Sequence, residues 1–416
     1  MSLIGGVLLF GDMKAFLKWT LIAVIVGIIV GFVGTGFHYA VEFATELRQT
    51  FPALILILPF GGVYIAWIYK ICGAENHGGT NLVIDTVREN KTVPIVTVPI
   101  IFVGTVITHL CGGSSGREGA ALQIGSSISH AVGEAINLDE KDMHVMTMCG
   151  MSAAFAALFG TPVTAAVFSI EVVSIGIMHF SALVPCVISA LSALMVAEIF
   201  FVSPTHFTIL KYCEFNPANV IRVIALSIMC AFVSILFCMV MKKVSALYKK
   251  YLPNQFLKAI VGGFIVIVLT AIVGNQDYNG AGMDIIADAF SGDIVWYAFL
   301  LKIIFTAFTL GAGFKGGEIV PTFFTGATFG NVASKLVGLN SSFGTGIGLV
   351  CLFCGVTNCP LTSMVLSVEL FGSWGLPFFA IACATSYMLS GYIGLYSEQK
   401  IVYSKTKAEF IDKKAK

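Results

Sequence analysis

The chain is a succession of long apolar runs separated by short polar breaks. Runs with so few charges read as membrane-buried helices, about 20 residues being needed for one crossing. The pattern predicts helices over 15–49, 53–72, 94–111, 119–133, 141–158, 163–178, 182–201, 218–248, 256–274, 294–311, 320–337, 344–356, 361–371 and 375–393. Several are too short to span a bilayer, and 15–49 and 218–248 are too long to cross it without tilt. The expected fold is all-α: a polytopic membrane protein of tilted and half-length helices.

Composition agrees with the pattern. Of 416 residues, 57% are apolar and 11% charged, against about 25% charged in soluble domains. Mean hydropathy is +0.91. A soluble globule, a disordered chain and a nucleic-acid-binding domain are all excluded. The net charge of +1 says nothing about partners, so only the placement of charge is informative. Lys14 and Lys18 stand near the start, Lys242, Lys243, Lys249, Lys250 and Lys258 share one connector, and Lys400, Lys405, Lys407, Lys413, Lys414 and Lys416 crowd the end. The positive-inside rule then puts both termini and that connector in the cytoplasm, and with no targeting segment evident the expected location is the plasma membrane. No cleavable signal is expected, because the apolar stretch after Lys18 far exceeds a signal core. Cysteines such as Cys111, Cys186, Cys230 and Cys238 sit inside apolar runs and read as buried packing residues, with no metal or cofactor implied.

The chain repeats itself. Gly116-Arg117-Glu118-Gly119 parallels Gly316-Gly317-Glu318-Ile319, and the stretch from Pro162 to Glu171 parallels that from Pro360 to Glu369. The offset is 200 residues for the first pair of landmarks and 198 for the others. Two homologous halves are expected, 1–205 and 218–396, joined by a linker at 206–217 and followed by a basic tail at 397–416. Duplicated halves with glycine-interrupted helices at matching positions are a transporter pattern, with the binding site at the repeat interface.

Residues 112–119, Gly-Gly-Ser-Ser-Gly-Arg-Glu-Gly, cannot stay helical cheaply, and in a membrane such backbone survives only when buried or lining a cavity. The helix that follows offers unpaired N–H groups and a positive dipole end, which suits an anion. Gly317-Glu318 builds a second such terminus, so both can face one point. Glu118 can occupy that anion site itself, leave it on protonation and so couple protons to anions. Glu318 can carry a proton or donate a hydrogen bond when neutral; the plainer alternative pairs it with Lys315 or Arg117. Glu171 and Glu369, at helix ends, are expected to be structural or solvent-facing. Tyr396 is either an interfacial anchor or a neutral donor to an anion.

Two other motifs need weighing. Gly113-Ser114-Ser115-Gly116 fits the G-x-S-G of intramembrane serine proteases, with His109 or His179 as a candidate base. The second copy has Phe314-Lys315 in place of the serines, so the repeated feature is glycine plus glutamate. Cys351-x-x-Cys354 with Cys359 has metal-ligand spacing but lies in an apolar run without a nearby histidine. Neither enzyme activity nor a metal is expected.

These motifs together resemble the CLC family of chloride channels and anion/proton antiporters, over nearly the whole chain. The family's G-[KR]-E-G-P loop resembles Gly116-Arg117-Glu118-Gly119-Ala120, its G-x-F-x-P loop resembles Gly317-Glu318-Ile319-Val320-Pro321, and its late tyrosine matches Tyr396. The resemblance implies an inverted repeat, a homodimer with one pathway per subunit, Glu118 as gating glutamate, and anion contacts from Gly116, Arg117, Gly119, Gly317, Ile319, Val320 and Tyr396. The cytoplasmic CBS pair of many relatives is not expected.

Three departures sharpen the resemblance. The chloride-binding G-S-G-I-P loop is replaced by His77-Gly78-Gly79-Thr80-Asn81. Val172 stands where exchangers carry an internal proton glutamate. Glu318 occupies an otherwise apolar position. This pattern resembles the bacterial fluoride-exporting clade, although Gly79 stands near that clade's usual methionine. Thr80 and Asn81 are then candidate first-loop ligands. The expected function is fluoride export in exchange for protons, with Glu118 and Glu318 handling the proton. A chloride/proton antiporter, a passive anion channel and, remotely, an intramembrane protease are the competing readings.

Overall fold

The computed structural model describes residues 2–74, 78–89 and 93–415, with side chains described from residue 13 onward and that of Glu89 excepted. His77 lies outside the described residues. The chain folds as α1 (Ser2–Thr50), α2 (Leu58–Ile71), α3 (Thr80–Glu89), α4 (Thr97–Leu110), α5 (Glu118–Ala135), α6 (Glu140–Phe159) and α7 (Pro162–Glu171). There follow β1 (Ser174–Ile175), α8 (Leu183–Ile199), α9 (Pro217–Tyr251), α10 (Gln255–Val273), α11 (Met283–Ser291) and α12 (Ala298–Gly311). The chain ends with α13 (Ile319–Val337), α14 (Ser341–Thr357), α15 (Pro360–Phe371), α16 (Leu376–Leu389), β2 (Lys400–Tyr403) and β3 (Phe410–Lys414). Among the described residues, six helical stretches are long and apolar enough to cross a membrane, and shorter apolar helices stand between them.

Local chemistry sets the boundaries. Asp139, Asn216, Asn254 and Asn340 cap α6, α9, α10 and α14 by accepting from backbone N–H groups of the first turn. Proline opens α7, α9 and α15, where its missing N–H costs nothing. Left-handed Gly160, Gly274 and Gly338 close α6, α10 and α13.

The predicted all-α architecture holds for the membrane helices, with four differences. The first helix starts at Ser2, not at 15. The polar-looking stretches 80–89 and 283–291 are helical, because each has one apolar face to bury: Val83, Ile84 and Val87 in α3, and Ile286, Ala289 and Phe290 in α11. The helix expected over 163–178 stops at Glu171, since Ser174 and Ile175 leave it to pair in parallel with β2. The expected basic tail is not a bare extension, because 400–403 and 410–414 form an antiparallel hairpin on β1.

Close packing of small residues holds the helices together, as hydrophobicity cannot drive association within lipid. A Cβ on Gly125 of α5 would stand 2.1 Å from the Gly150 carbonyl of α6, and one on Gly330 of α13 would stand 2.3 Å from the Gly344 carbonyl of α14. α7 and α15 are joined reciprocally. Glu171 accepts from Leu361 N (3.0 Å), Thr362 N (2.7 Å) and Thr362 Oγ1 (2.5 Å) at the start of α15. Glu369 accepts from Val163 N (3.0 Å) and Thr164 N (2.8 Å) at the start of α7. Each carboxylate therefore caps the helix that carries the other, which places them in structural roles.

Candidate functional site at two crossing glycine loops

The loop between α4 and α5 and the loop between α12 and α13 cross in the interior. Gly116 N donates to Gly317 O and Gly317 N to Gly116 O, each at 2.7 Å, an isolated antiparallel bridge. The crossing leaves no room for side chains. A Cβ on Gly317 would stand 2.4 Å from Gly119 N. Gly316 has φ +154°, and a Cβ there would lie 2.5 Å from Ser115 Cβ. The N–H groups of Gly116 and Gly317 are committed to each other. The two residues expected to contact an anion thus build the crossing.

The crossing aims the N-termini of α5 and α13 at one point, and the Glu118 carboxylate is there. Its side chain is 1% exposed. Oε2 accepts from Arg117 N at 3.0 Å, and the backbone N–H groups of Glu118 itself and of Val320 also reach the carboxylate. Donors from both loops thus converge on one anionic group. Oε1 makes no hydrogen bond and lies 3.8 Å from Arg117 Nε. Gly119 and buried Ile319 complete the two first turns around this point.

Arg117 contributes its backbone N–H, while its guanidinium is held elsewhere. Nη1 donates to His38 Nδ1 at 2.8 Å, and His38 Nε2 is 3.4 Å from Glu42. A guanidinium cannot accept a hydrogen bond, so Nδ1 is the bare nitrogen of the ring.

Glu118 forms part of the wall of a cavity of about 880 Å³. The cavity lies at the C-terminal end of α1 and the loop after α10, with His38, Glu42, Arg48, His109 and Asp277 among its lining. α1 and α10 both run towards it, with Lys14 and Lys18 in the first half of α1 and Lys258 in the first turn of α10. A second cavity, of about 120 Å³, lies on the other loop and is lined by Gly79, Thr80, Gln123, Lys315, Gly316 and Glu318 among others. Glu318 stands at the N-cap position of α13, with no hydrogen bond from its side chain to the first turn, and is half-buried there. It pairs with neither predicted partner: Lys315 lies over the Tyr69 ring, and Arg117 is bonded to His38.

Tyr396 is 2% exposed, so it is not an interfacial anchor. Its hydroxyl has no hydrogen-bond partner, and Glu318 and Glu118 are the acids that act on it electrostatically. Two residues that sequence reasoning missed fasten the chain just after it, where Gln399 N donates to Tyr396 O at 3.2 Å. Fully buried Gln399 donates to Val172 O (2.9 Å) and Thr357 O (2.8 Å), and Asn358 Nδ2 donates to Gln399 Oε1 (3.1 Å). Thr80 abuts α5, with its Oγ1 3.2 Å from where a Cβ on Gly119 would stand. Asn81 Oδ1 accepts from Glu398 N at 3.3 Å, which ties it to the chain after Tyr396 and leaves its NH2 as the remaining donor.

The competing motifs come apart. Ser115 Oγ, the serine of that motif, has no hydrogen-bond partner, Ser114 Oγ bonds Thr306 Oγ1 (3.0 Å), and His109 Nε2 faces Gly116 O (3.4 Å), so neither serine is hydrogen-bonded to His109. Cys351, Cys354 and Cys359 turn to Ser227 Oγ, Cys383 O and Thr357 O respectively. His38 also escaped the sequence reading, in which His109 and Lys315 stood only as a candidate protease base and a candidate partner of Glu318. Its only signal was an ionisable residue inside or beside an apolar run.

Comparison with known proteins agrees with this geometry. A family model described as voltage gated chloride channel matches residues 61–391. A "Chloride/fluoride channel protein" of Pseudomonas syringae pv. tomato is 36% identical over 395 residues, covering 93% of this chain and 87% of that protein. The crystal structure of a CLC-type fluoride/proton antiporter superposes with a TM-score of 0.89 at 29% identity, over 92% of this chain and 97% of that one. A slow cyanobacterial Cl-/H+ antiporter superposes with a TM-score of 0.76 over 90% of this chain and 94% of that one, and at 16% identity it bears on the fold alone. With the matched stretch running from α2 through α16, the chain belongs to the voltage gated chloride channel, or CLC, family of polytopic membrane transport proteins.

Proposed function

We propose that the protein exports fluoride in exchange for protons. The observation that carries this reading is the Glu118 carboxylate seated among N–H donors of both glycine loops, with a second acid, Glu318, in the opposite loop. A carboxylate in an anion site is a competitor for that site. Protonation removes its charge, weakens its hold on the N–H groups and frees them for a small anion. The Tyr396 hydroxyl is the free neutral donor nearby.

In the proposed cycle Glu118 takes a proton from the large cavity, which is the outer one, and leaves the amide site. Fluoride enters from the opposite side and accepts hydrogen bonds from the amides and Tyr396. Glu118 releases its proton inward as fluoride departs outward, with Glu318 assisting binding or proton transfer. Fluoride is small and strongly hydrated, so it needs close donors, and a protonated glutamic acid is one.

The same reading takes the molecule as two halves, 1–205 and 218–396, related by a pseudo-two-fold axis, with 206–217 as the link. The paired exchange at Gly116 and Gly317 and the reciprocal caps of Glu171 and Glu369 support it. It takes the working form as a homodimer in the plasma membrane with both termini cytoplasmic. The Pseudomonas relative is a chloride/fluoride channel protein by name, which favours a second reading, passive fluoride or chloride flow.

Glu118→Gln decides between them. In reconstituted liposomes an exchanger loses fluoride-driven proton movement with this variant. Protons still moved by a fluoride gradient in Glu118→Gln would remove Glu118 from the mechanism, and a wild type that moves fluoride without protons would establish the passive reading.

A further inference from the structure

Arg117 stands next to Glu118 in the chain, yet the two side chains do not hydrogen-bond. A guanidinium beside a carboxylate frequently closes a two-pronged pair, among the strongest polar contacts open to it. In this molecule Arg117 Nε comes no nearer than 3.8 Å to Glu118 Oε1, and Oε1 is left without a hydrogen bond. The guanidinium is claimed from another direction. Nη1 donates to His38 Nδ1 at 2.8 Å, and Nη2 donates to Leu158 O at 3.5 Å. His38 belongs to α1, so an element outside both glycine loops decides where this cation sits.

An imidazole can hold a guanidinium in this way only with its own proton on the far nitrogen. Glu42, one turn further along α1, favours that arrangement, because its Oε2 lies 3.4 Å from His38 Nε2. The Glu42 side chain is 49% exposed and lies on the wall of the large cavity. A chain of three groups, Glu42, His38 and Arg117, therefore runs from the cavity to the edge of the Glu118 carboxylate. The other charged or titratable groups on that wall are Glu46 and Arg48 of α1, His109 of α4, Asp277 after α10 and Asp284 of α11. The Tyr39 ring packs edge-on against His38, and Tyr396 faces Glu118 electrostatically.

We infer that His38 is a positioning residue for the proton step: by taking the Arg117 guanidinium it keeps a charged donor off Glu118, so that protonation can release that carboxylate from the amide site. Without His38 the guanidinium closes on the free Oε1. The carboxylate then has one more charge-assisted hydrogen bond to give up, and more acid is needed to release it. The inference rests on the reading of Glu118 as the group that protonation releases, and it adds the residue that sets when this happens.

Fluoride efflux from liposomes carrying the full chain, with the same pH on both sides and that pH varied, tests this. His38→Leu is expected to lower the pH of half-maximal exchange by about one unit. That is about ten-fold in proton affinity, the scale of a hydrogen bond between charged groups. His38→Asn, whose side-chain oxygen can accept from Nη1, is expected to follow the wild type. In an Arg117→Gln background His38→Leu is expected to change nothing, since no guanidinium is there to be released. A His38→Leu profile that coincides with wild type, or one that shifts equally with Arg117 replaced, overturns this inference alone. A wild-type rate that does not vary with pH overturns it together with the reading of Glu118. Should His38→Leu fail to fold, Glu42→Leu takes its place, with a shift in the same direction expected and an unmoved profile overturning the inference.

Discussion

Individual side chains carry the chemistry at this site, and their hydrogen bonds separate active roles from structural ones. Tyr396 is the clearest case. It is 2% exposed and its hydroxyl has no partner, an arrangement that stability alone does not favour, since a buried unpaired hydroxyl is a net cost. Tyr396→Phe should therefore leave the thermal midpoint unchanged or raise it, while weakening half-saturation for fluoride efflux about ten-fold, as expected for a lost hydrogen bond to an ion. A lower midpoint with unaltered half-saturation would make the hydroxyl structural. Glu118 differs from Glu171 in the same terms. Both are buried carboxylates on helix N-termini, but Glu118 leaves one oxygen without a hydrogen bond, whereas both oxygens of Glu171 accept from α15.

At the scale of elements, helix ends do the positioning. The α7–α15 pair rests on two exchanged carboxylates, one buried and one half-exposed. Glu171→Ala is expected to cost about 2–3 kcal/mol in detergent, the range for losing hydrogen bonds to a charged acceptor, and Glu369→Ala about 1 kcal/mol, that of a cap. Unfolding midpoints of the two variants check this, and equal losses would refute the asymmetry. The tail offers a pH test. Lys405 Nζ donates to Asn358 Oδ1 (2.5 Å), Tyr387 O (2.9 Å) and Ser390 Oγ (3.1 Å), fastening the tail to the segment that holds Gln399. Burial pushes its amine down to about 8. Between about pH 8 and the ordinary lysine range near 10.4 the folded chain has released this proton and the unfolded chain still holds it, so this group adds stability as pH rises. The difference in midpoint between wild type and Lys405→Met should be flat below pH 8 and grow in favour of wild type above it. A difference that shrinks over that range would contradict the assignment.

Over the whole molecule, the long apolar runs were legible because a bilayer demands them, and the glycine–glutamate repeat was legible because it recurs at a nearly constant offset. α3 and α11 were not, since short amphipathic helices have too few apolar residues for a run. The hairpin of β2 and β3 escaped because its partner, β1, lies more than 200 residues earlier. Within the site, Glu118, Glu318 and Tyr396 were readable from motif position. The commitment of Gly116 and Gly317 to each other was not, because the same glycines serve equally well to cross another loop or to present N–H groups to an anion. Lys315 was visible as a replacement for a serine in the repeat and as a candidate partner of Glu318, and that it has no carboxylate partner among the described residues appears only in three dimensions.

The central claim is that these two crossed loops exchange fluoride for protons. The most direct test is efflux from liposomes reconstituted with the wild-type chain and loaded with fluoride or chloride, with pH recorded in a lightly buffered bath. The account predicts that fluoride leaves with proton uptake into the vesicles while chloride barely moves. Chloride leaving as fast as fluoride, or fluoride leaving with no pH change, would contradict it.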